Sequence, residues 1–248
     1  MDLASRQRTF HLTILGRTLE HLGVQMYKHR DAALAELVAN AWDAGARRVD
    51  IDLPTSDHYN PETAMIVVRD DGHGMSDEQI QNMYLVLGRN RRLDGDAESG
   101  RDPMGRKGIG KLSGFGMADV VEIETWRDGF LTRFVLNAKE LITVPGQSAD
   151  KAIVGDISAI PAGYGLQGTK IMLRRLKHGS ALSADALSKA LARKFGRTVR
   201  GNMEIAVNGE FIGDPYQELE LEHRTPSDGY ETAILEDGSR IAFFYGFS

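Results

Sequence analysis

No cysteine occurs in this 248-residue chain. A disulfide, a thiol nucleophile and a cysteine-based zinc site are therefore excluded, which fits a reducing compartment. Long apolar runs are missing too. Stretches such as "AMIVV" at 64–68 fall far short of the roughly 18 residues that a membrane span needs, and the opening "MDLASRQRTFHLTIL" lacks the apolar core of a signal peptide. Nor is there a large excess of charge of one sign. The 30 Lys plus Arg against 35 Asp plus Glu leave a net charge of -5, so the whole chain is no electrostatic magnet for nucleic acid or acidic membrane. These absences predict a cytoplasmic protein without a membrane partner. Internal repeats and low-complexity tracts are also lacking. What is present is a 42% hydrophobic content, enough for a proper core, and 27 glycines.

The hydrophobic pattern predicts strands mixed with helices. "FHLTIL" at 10–15 reads as a short strand, and a helix follows over about Ala32 to Trp42, capped by Asp31 and stopped at Gly45. "RRVDIDL" at 47–53 alternates as a strand should, and "AMIVVRDDGHGM" carries a buried strand into a glycine turn. "SDEQIQNMYLVLG" predicts a helix capped at Ser76 or Asp77, and "KLSGFGMADV" a helix start. Further along, "VVEIETWRDGFLTRFVLN" reads as two strands joined at "RDG", and "GTKIMLRRL" as another. "SADALSKALARKFG", with Ser183 as cap, is an amphipathic helix, "MEIAVNGEFIG" a hairpin turning at Asn208 and Gly209, and "RIAFFYGFS" a closing strand. Helices placed both early and late among strands favour an α/β sandwich over a doubly wound parallel sheet.

Three constellations carry chemistry. In "AELVANAWDAGARRVDID" (35–52), Glu36, Asn40 and Asp43 are spaced by four and three, so they form one stripe of a helix whose other positions are apolar. A solvated face would explain one such residue. For three against so apolar a background a cleft wall is the better reading, because an unpaired buried carboxylate costs several kcal/mol. In "RDDGHGM" (69–75) a strand ends in two acids and a Gly-x-Gly turn, Gly72 to Gly74. An acid there can accept from a ligand amino group and the glycines let a ligand approach the backbone, although alone it is also an ordinary strand-to-helix turn. In "GRKGIGKLSGFG" (105–116), exposed backbone N–H groups and two lysines make a ready anion site. It is neither a Walker A loop nor the opening of a Rossmann unit, and a flexible linker is the alternative.

"ELVANAWDAGA", "DDGHGM", "GRKGIGKLSGFG" and "GTKI" (168–171) together resemble the four ordered motifs of the GHKL or Bergerat-fold ATPases, a group that includes gyrase B subunits, Hsp-type chaperones, MutL and MORC proteins and histidine kinases. The resemblance implies a two-layer sandwich with a mixed, mostly antiparallel sheet and helices on one face. It implies ATP and Mg²⁺ as ligands, Glu36 as the general base that polarises the attacking water, and Asn40 as the metal ligand. Asp43 would support the polar floor. Asp70 would accept from the adenine amino group, with Gly72, Gly74 and Met75 around the base and Thr169 beside the aspartate. Gly105, Gly108, Ile109 and Gly110 would hold the phosphates through the backbone, with Lys107 or Lys111 nearby. Asp71 and His73 stay outside the chemistry.

The domain layout implied is an arm at 1–30, a nucleotide-binding core at 31–178 with a lid at about 88–107, and a C-terminal part at 179–248. The wording of the glycine motif lies nearer to bacterial Hsp-like and MORC-like proteins than to MutL, whose "GFRGEAL" pattern it replaces. A histidine kinase is disfavoured by the presence of Glu36 and by the lack of an upstream phospho-acceptor hairpin. In the relatives a second domain supplies a Lys or Arg to the γ-phosphate and ATP closes a dimeric clamp. This chain is thus expected to hydrolyse ATP slowly in isolation, to form a homodimer on binding nucleotide, and to act on DNA or a protein client. A nucleotide-sensing module in which hydrolysis is incidental is the alternative.

Overall fold

A computed structural model describes residues 5–14, 29–87, 101, 104, 110–138, 149–160, 167–196, 201–213, 223–226, 231–234, 240–243 and 245–247. The chain divides into two compact units, 1–212 and 213–248. The first unit opens with β1 (Arg6–Ile14), α1 (Arg30–Asp43), β2 (Arg48–Asp52) and β3 (Met65–Asp70). Then come α2 (Asp77–Gln79), which runs into a π-helical turn at Ile80–Tyr84, β4 (Val86–Leu87) and a 3-10 helix at Gly110–Gly116. The remaining elements are β5 (Ala118–Arg127), β6 (Phe130–Asn137), β7 (Ala149–Ala159), β8 (Gly168–Leu176), α3 (Ala184–Phe195), β9 (Glu204–Val207) and β10 (Glu210–Phe211).

Ten strands among the described residues form one sheet in the order β10, β9, β2, β3, β8, β5, β6, β7, β1, β4. The β2–β9 and β1–β4 pairs are parallel and the others antiparallel, so the sheet is mixed and mostly antiparallel, as the resemblance implied. Its two faces differ because side chains alternate along every strand. On one face a row of facing positions runs Val68, Ile171, Ile123, Phe134, and these side chains join α1 and α3 in one hydrophobic cluster. On the other face the next row runs Arg69, Lys170, Glu124, Arg133, Asp156, Gln7. Glu124 there pairs with Arg133 at 2.7 Å and Lys170 at 3.3 Å, while Gln7 donates to Asp156 at 3.0 Å. Cross-strand charge pairs help to hold this more polar face in register.

α1 buries Leu34, Leu37, Val38, Ala41 and Trp42 and leaves Glu36, Asn40 and Asp43 half-buried, which is the stripe expected. α3 buries Leu187, Leu191 and Phe195, spaced by four, against the same cluster, and Ser183 caps it by accepting from Ala186 N at 3.3 Å.

Several local expectations are corrected. His29 rather than Asp31 is the N-cap of α1, and Asp31 lies in the first turn, where its charge suits the helix dipole. The helix expected from Ser76 is capped as foreseen, with a reciprocal Ser76–Gln79 capping box, but it is short and changes to a π turn. The reason is tertiary. Gln81 exchanges hydrogen bonds with the His11 main chain (2.8 and 3.0 Å), and Val86 and Leu87 then extend the sheet beside Thr13 and Ile14. "KLSGFG" forms 3-10 rather than α-helix. Its glycines are poor helix formers, and Gly114 lies so close to Leu173 that a Cβ would stand 2.8 Å from it. β7 was not foreseen because Gly155 and Asp156 interrupt its apolar signal, yet Ile153, Gly155 and Ile157 face inward in strict alternation. The expected closing strand is two strands.

That second unit contains β11 (His223–Thr225), β12 (Glu231–Ile234), β13 (Arg240–Phe243) and β14 (Tyr245–Phe247). β11 pairs with β14 and β12 with β13, both antiparallel.

Candidate nucleotide site

The site is built where β3 ends beside the C-terminus of α1. Asp70 is the last residue of β3, and the register sets Asp70, Thr169 and Thr125 side by side on three neighbouring strands. The Asp70 carboxylate accepts from Gly72 N at 2.9 Å and from the Thr169 main chain. Burial nevertheless dominates, because a charge is costly away from water. It pushes the Asp70 pKa up from the usual 3.8 to about 7; the two N–H donors oppose the rise and the Asp71 charge adds to it.

The Gly72–Gly74 turn is tied down on both sides. His73 N donates to Ala44 O at 2.9 Å, and a Cβ on Gly72 would stand 2.8 Å from that same oxygen. Gly74 has φ +64, and a Cβ there would lie 2.0 Å from Trp126 O, so this position is restricted to glycine by both torsion and space. Met75 N donates to Thr125 Oγ1 at 2.8 Å, and that hydroxyl in turn donates to Gly168 O at 3.2 Å. Asp71, set aside in the sequence reading, is a structural clamp. One of its oxygens accepts from both Arg47 N (2.7 Å) and Arg48 N (2.8 Å) and so fixes the turn between α1 and β2.

The stripe of α1 connects this turn to the glycine-rich segment. Near its start, Glu36 Oε2 faces Gly110, where a Cβ would stand 2.7 Å away, and Oε1 lies 3.5 Å from Lys194 Nζ on α3. Ser113 Oγ donates to Ala33 O at 2.9 Å and holds the 3-10 helix against α1. Near its end, Asp43 Oδ1 accepts from Met104 N at 2.8 Å. Arg101 covers the same corner: its guanidinium lies 4.4 Å from the Trp42 ring centroid and donates to Ala46 O (2.8 Å) and Asn202 O (3.0 Å).

The structure thus brings Glu36 to Gly110, and Asp70 to Gly72 and Thr169. Asn40 lies between them on the stripe. Gly105, Lys107, Gly108 and Ile109 lie outside the described residues, as do the Lys111 side chain and, apart from Arg101 and Met104, positions 88–107. Among the described residues no group of three or more His, Asp or Glu could hold a metal ion. Mg²⁺ needs no such cluster, because it is bound mainly by phosphate and water oxygens, and the half-buried amide of Asn40 would fit as one ligand to it. Sequence reasoning missed Thr125, Arg101 and Lys194. Each works through a contact between elements distant in the chain, and nothing local marks it. A separate open cavity of 620 Å³ lies by the start of α1, lined by His29, Arg30, Lys177 and His178 among others, and includes none of the expected site residues.

The sequence model of the histidine kinase-, DNA gyrase B- and HSP90-like ATPases matches residues 27–151, half of the chain. A Herpetosiphon aurantiacus protein named as a type II restriction enzyme, HgiDII, is 32% identical over 83% of this chain and 32% of its own length. The chaperone protein HtpG of Salinispora tropica is 32% identical over 42% of this chain and 20% of its own. HtpG of Francisella tularensis is 24% identical over 84% of this chain and 34% of its own. The chain spans about a third or less of these relatives.

Proposed function

Since the chain belongs to the histidine kinase-, DNA gyrase B- and HSP90-like ATPase family, we propose that it binds Mg-ATP and hydrolyses it, with Glu36 as general base. ATP binding is what the family itself supports. The observation that carries the finer reading is the course of the α1 stripe. Glu36 stands against Gly110 at one end, and Ala44 stands against the Asp70 turn at the other. Eight residues of helix separate the two by about 12 Å, which suits the terminal phosphate at one end and the adenine at the other.

In this reading Asp70 accepts from the adenine amino group, and Thr169 and Thr125 hold that corner rigid. Gly74 lets the turn pack against the Trp126 main chain, and Met75 offers apolar surface beside the base. Backbone N–H groups of Gly105, Gly108, Ile109 and Gly110 and the charges of Lys107 and Lys111 receive the phosphates. Mg²⁺, held through Asn40, supplies charge neutralisation at the phosphates when bound. Glu36 takes the proton of a water whose oxygen attacks the terminal phosphorus, the bond to the bridging oxygen breaks, and ADP leaves. Asp43, engaged with Met104 N, anchors the segment entering the glycine motif.

We further infer slow turnover by the isolated chain, nucleotide-dependent homodimerisation and a cytoplasmic location. Among the described residues no helix is long and apolar enough to cross a membrane. The relative named as a restriction enzyme, matched over most of this chain, favours DNA over a protein client for the clamp. Mg-ATP turnover, nucleotide binding and oligomeric state should be measured for the wild type and Glu36→Ala. The variant should bind ATP and lose hydrolysis; unchanged turnover would remove the base assignment, and a wild type that binds no nucleotide would remove the function.

A further inference from the structure

Among the described residues, a cation that pairs with the proposed base comes from α3 of the same unit. Lys194 lies in the last turn of α3, a helix anchored by the fully buried Leu187 and Leu191 and the buried Phe195. Its Nζ lies 3.5 Å from Glu36 Oε1 and 5.4 Å from the Phe195 ring centroid. The other lysine with an ion pair on this helix, Lys189, pairs within the helix, to Asp185 at 3.1 Å, whereas Lys194 reaches across to α1. Both partners are about half exposed, and an ion pair in that setting contributes little to stability. Its effect is on orientation. With Oε1 engaged by Lys194, Oε2 is the oxygen turned toward Gly110 and the glycine-rich segment.

We propose that Lys194 is a positioning residue for hydrolysis: it holds one oxygen of Glu36 so that the other is presented to the water beside the terminal phosphate. The proposal rests on the reading of Glu36 as the base. A long side chain on a half-exposed helix stripe samples several rotamers, and a displacement of about 1 Å at a reacting group can cost up to ~100-fold in rate. Lys194 restricts that freedom from a second, rigid element. Lys194 spends its charge on Glu36, so in this reading its removal acts on turnover and not on affinity.

The test compares Lys194→Met and Lys194→Arg, each alone and with Glu36→Gln, using the full chain with Mg-ATP. Lys194→Met should lower kcat about ten-fold while KM and nucleotide affinity stay within about two-fold. Lys194→Arg should restore kcat to within about three-fold of wild type, since the cation returns with a different shape. In the Glu36→Gln background the Lys194→Met change should have no further effect on residual turnover. Wild-type kcat in Lys194→Met, an equal loss in Lys194→Arg, a matching loss of affinity, or an undiminished effect without Glu36 would each overturn the positioning role. If Glu36→Gln turns over like the wild type, the base reading itself fails. If Glu36→Gln is inactive while Lys194→Met is fully active, only the role of Lys194 fails.

Discussion

Replacing Asp70 by asparagine should flatten a pH dependence that one buried carboxyl imposes on the whole fold. Burial raises the Asp70 pKa from the usual 3.8 to about 7, and a difference of about three pH units corresponds to about 4 kcal/mol at 1.36 kcal/mol per unit. The sign follows from where the proton is held more tightly. The folded state binds it up to about pH 7 and the unfolded chain releases it near pH 4. The neutral acid's contribution is therefore fully present below about pH 4 and is lost as pH rises through about 7. The side-chain amide of the Asp70→Asn variant does not titrate. Urea denaturation of both proteins between pH 4 and 8 should show the wild type losing up to about 4 kcal/mol relative to Asp70→Asn, most of it by pH 7. A stability difference that is constant with pH, or that grows in favour of the wild type as pH rises, would refute the reasoning. The same titration reaches the ligand. A donor such as the adenine amino group favours the ionised acceptor, which grows from about a tenth to about nine-tenths of molecules between pH 6 and 8. Adenosine, which does not titrate in that range, should bind the wild type about ten-fold more tightly at pH 8, and Asp70→Asn should show no such trend.

Gly74→Ala should destabilise the fold by more than the ~1–2 kcal/mol of a left-handed torsion alone, because the new Cβ meets Trp126 O as well; thermal denaturation would show it, and an unaltered midpoint would rule the clash out. Thr125→Val keeps the shape and removes the hydroxyl that accepts from Met75 N and donates to Gly168 O. The stranded N–H should cost about 1–3 kcal/mol and weaken adenine binding, read by chemical denaturation and nucleotide titration. Arg101→Ala loses the Trp42 stacking and two bonds to main-chain carbonyls. About 1–3 kcal/mol of stability should go with them, and Arg101→Lys should fail to restore it because an ammonium cannot stack and fork in the same way.

What the sequence determined by itself is what periodicity, caps and glycine can encode locally. The apolar background of α1 isolates Glu36, Asn40 and Asp43 on one stripe, Ser76 and Ser183 cap where they were expected, and Asn208–Gly209 turns its hairpin. The end of β3 at Asp70 and the left-handed torsion of Gly74 follow from the same short-range rules, whereas the steric limit at Gly74 comes from the distant Trp126 main chain. The tertiary structure decided whatever depends on which strands become neighbours. Only the β3–β8–β5 register sets Thr169 and Thr125 beside Asp70, and only burial raises its pKa. Val86 and Leu87 became a strand because β1 offered an edge there, and β7 formed despite its glycine and acid because β6 and β1 flank it. Likewise Asp71, Arg101 and Lys194 acquire their roles from partners between 23 and 158 positions away. Local sequence specifies torsions and faces, whereas desolvation and charge pairing arise only once distant segments have excluded water from the space between them.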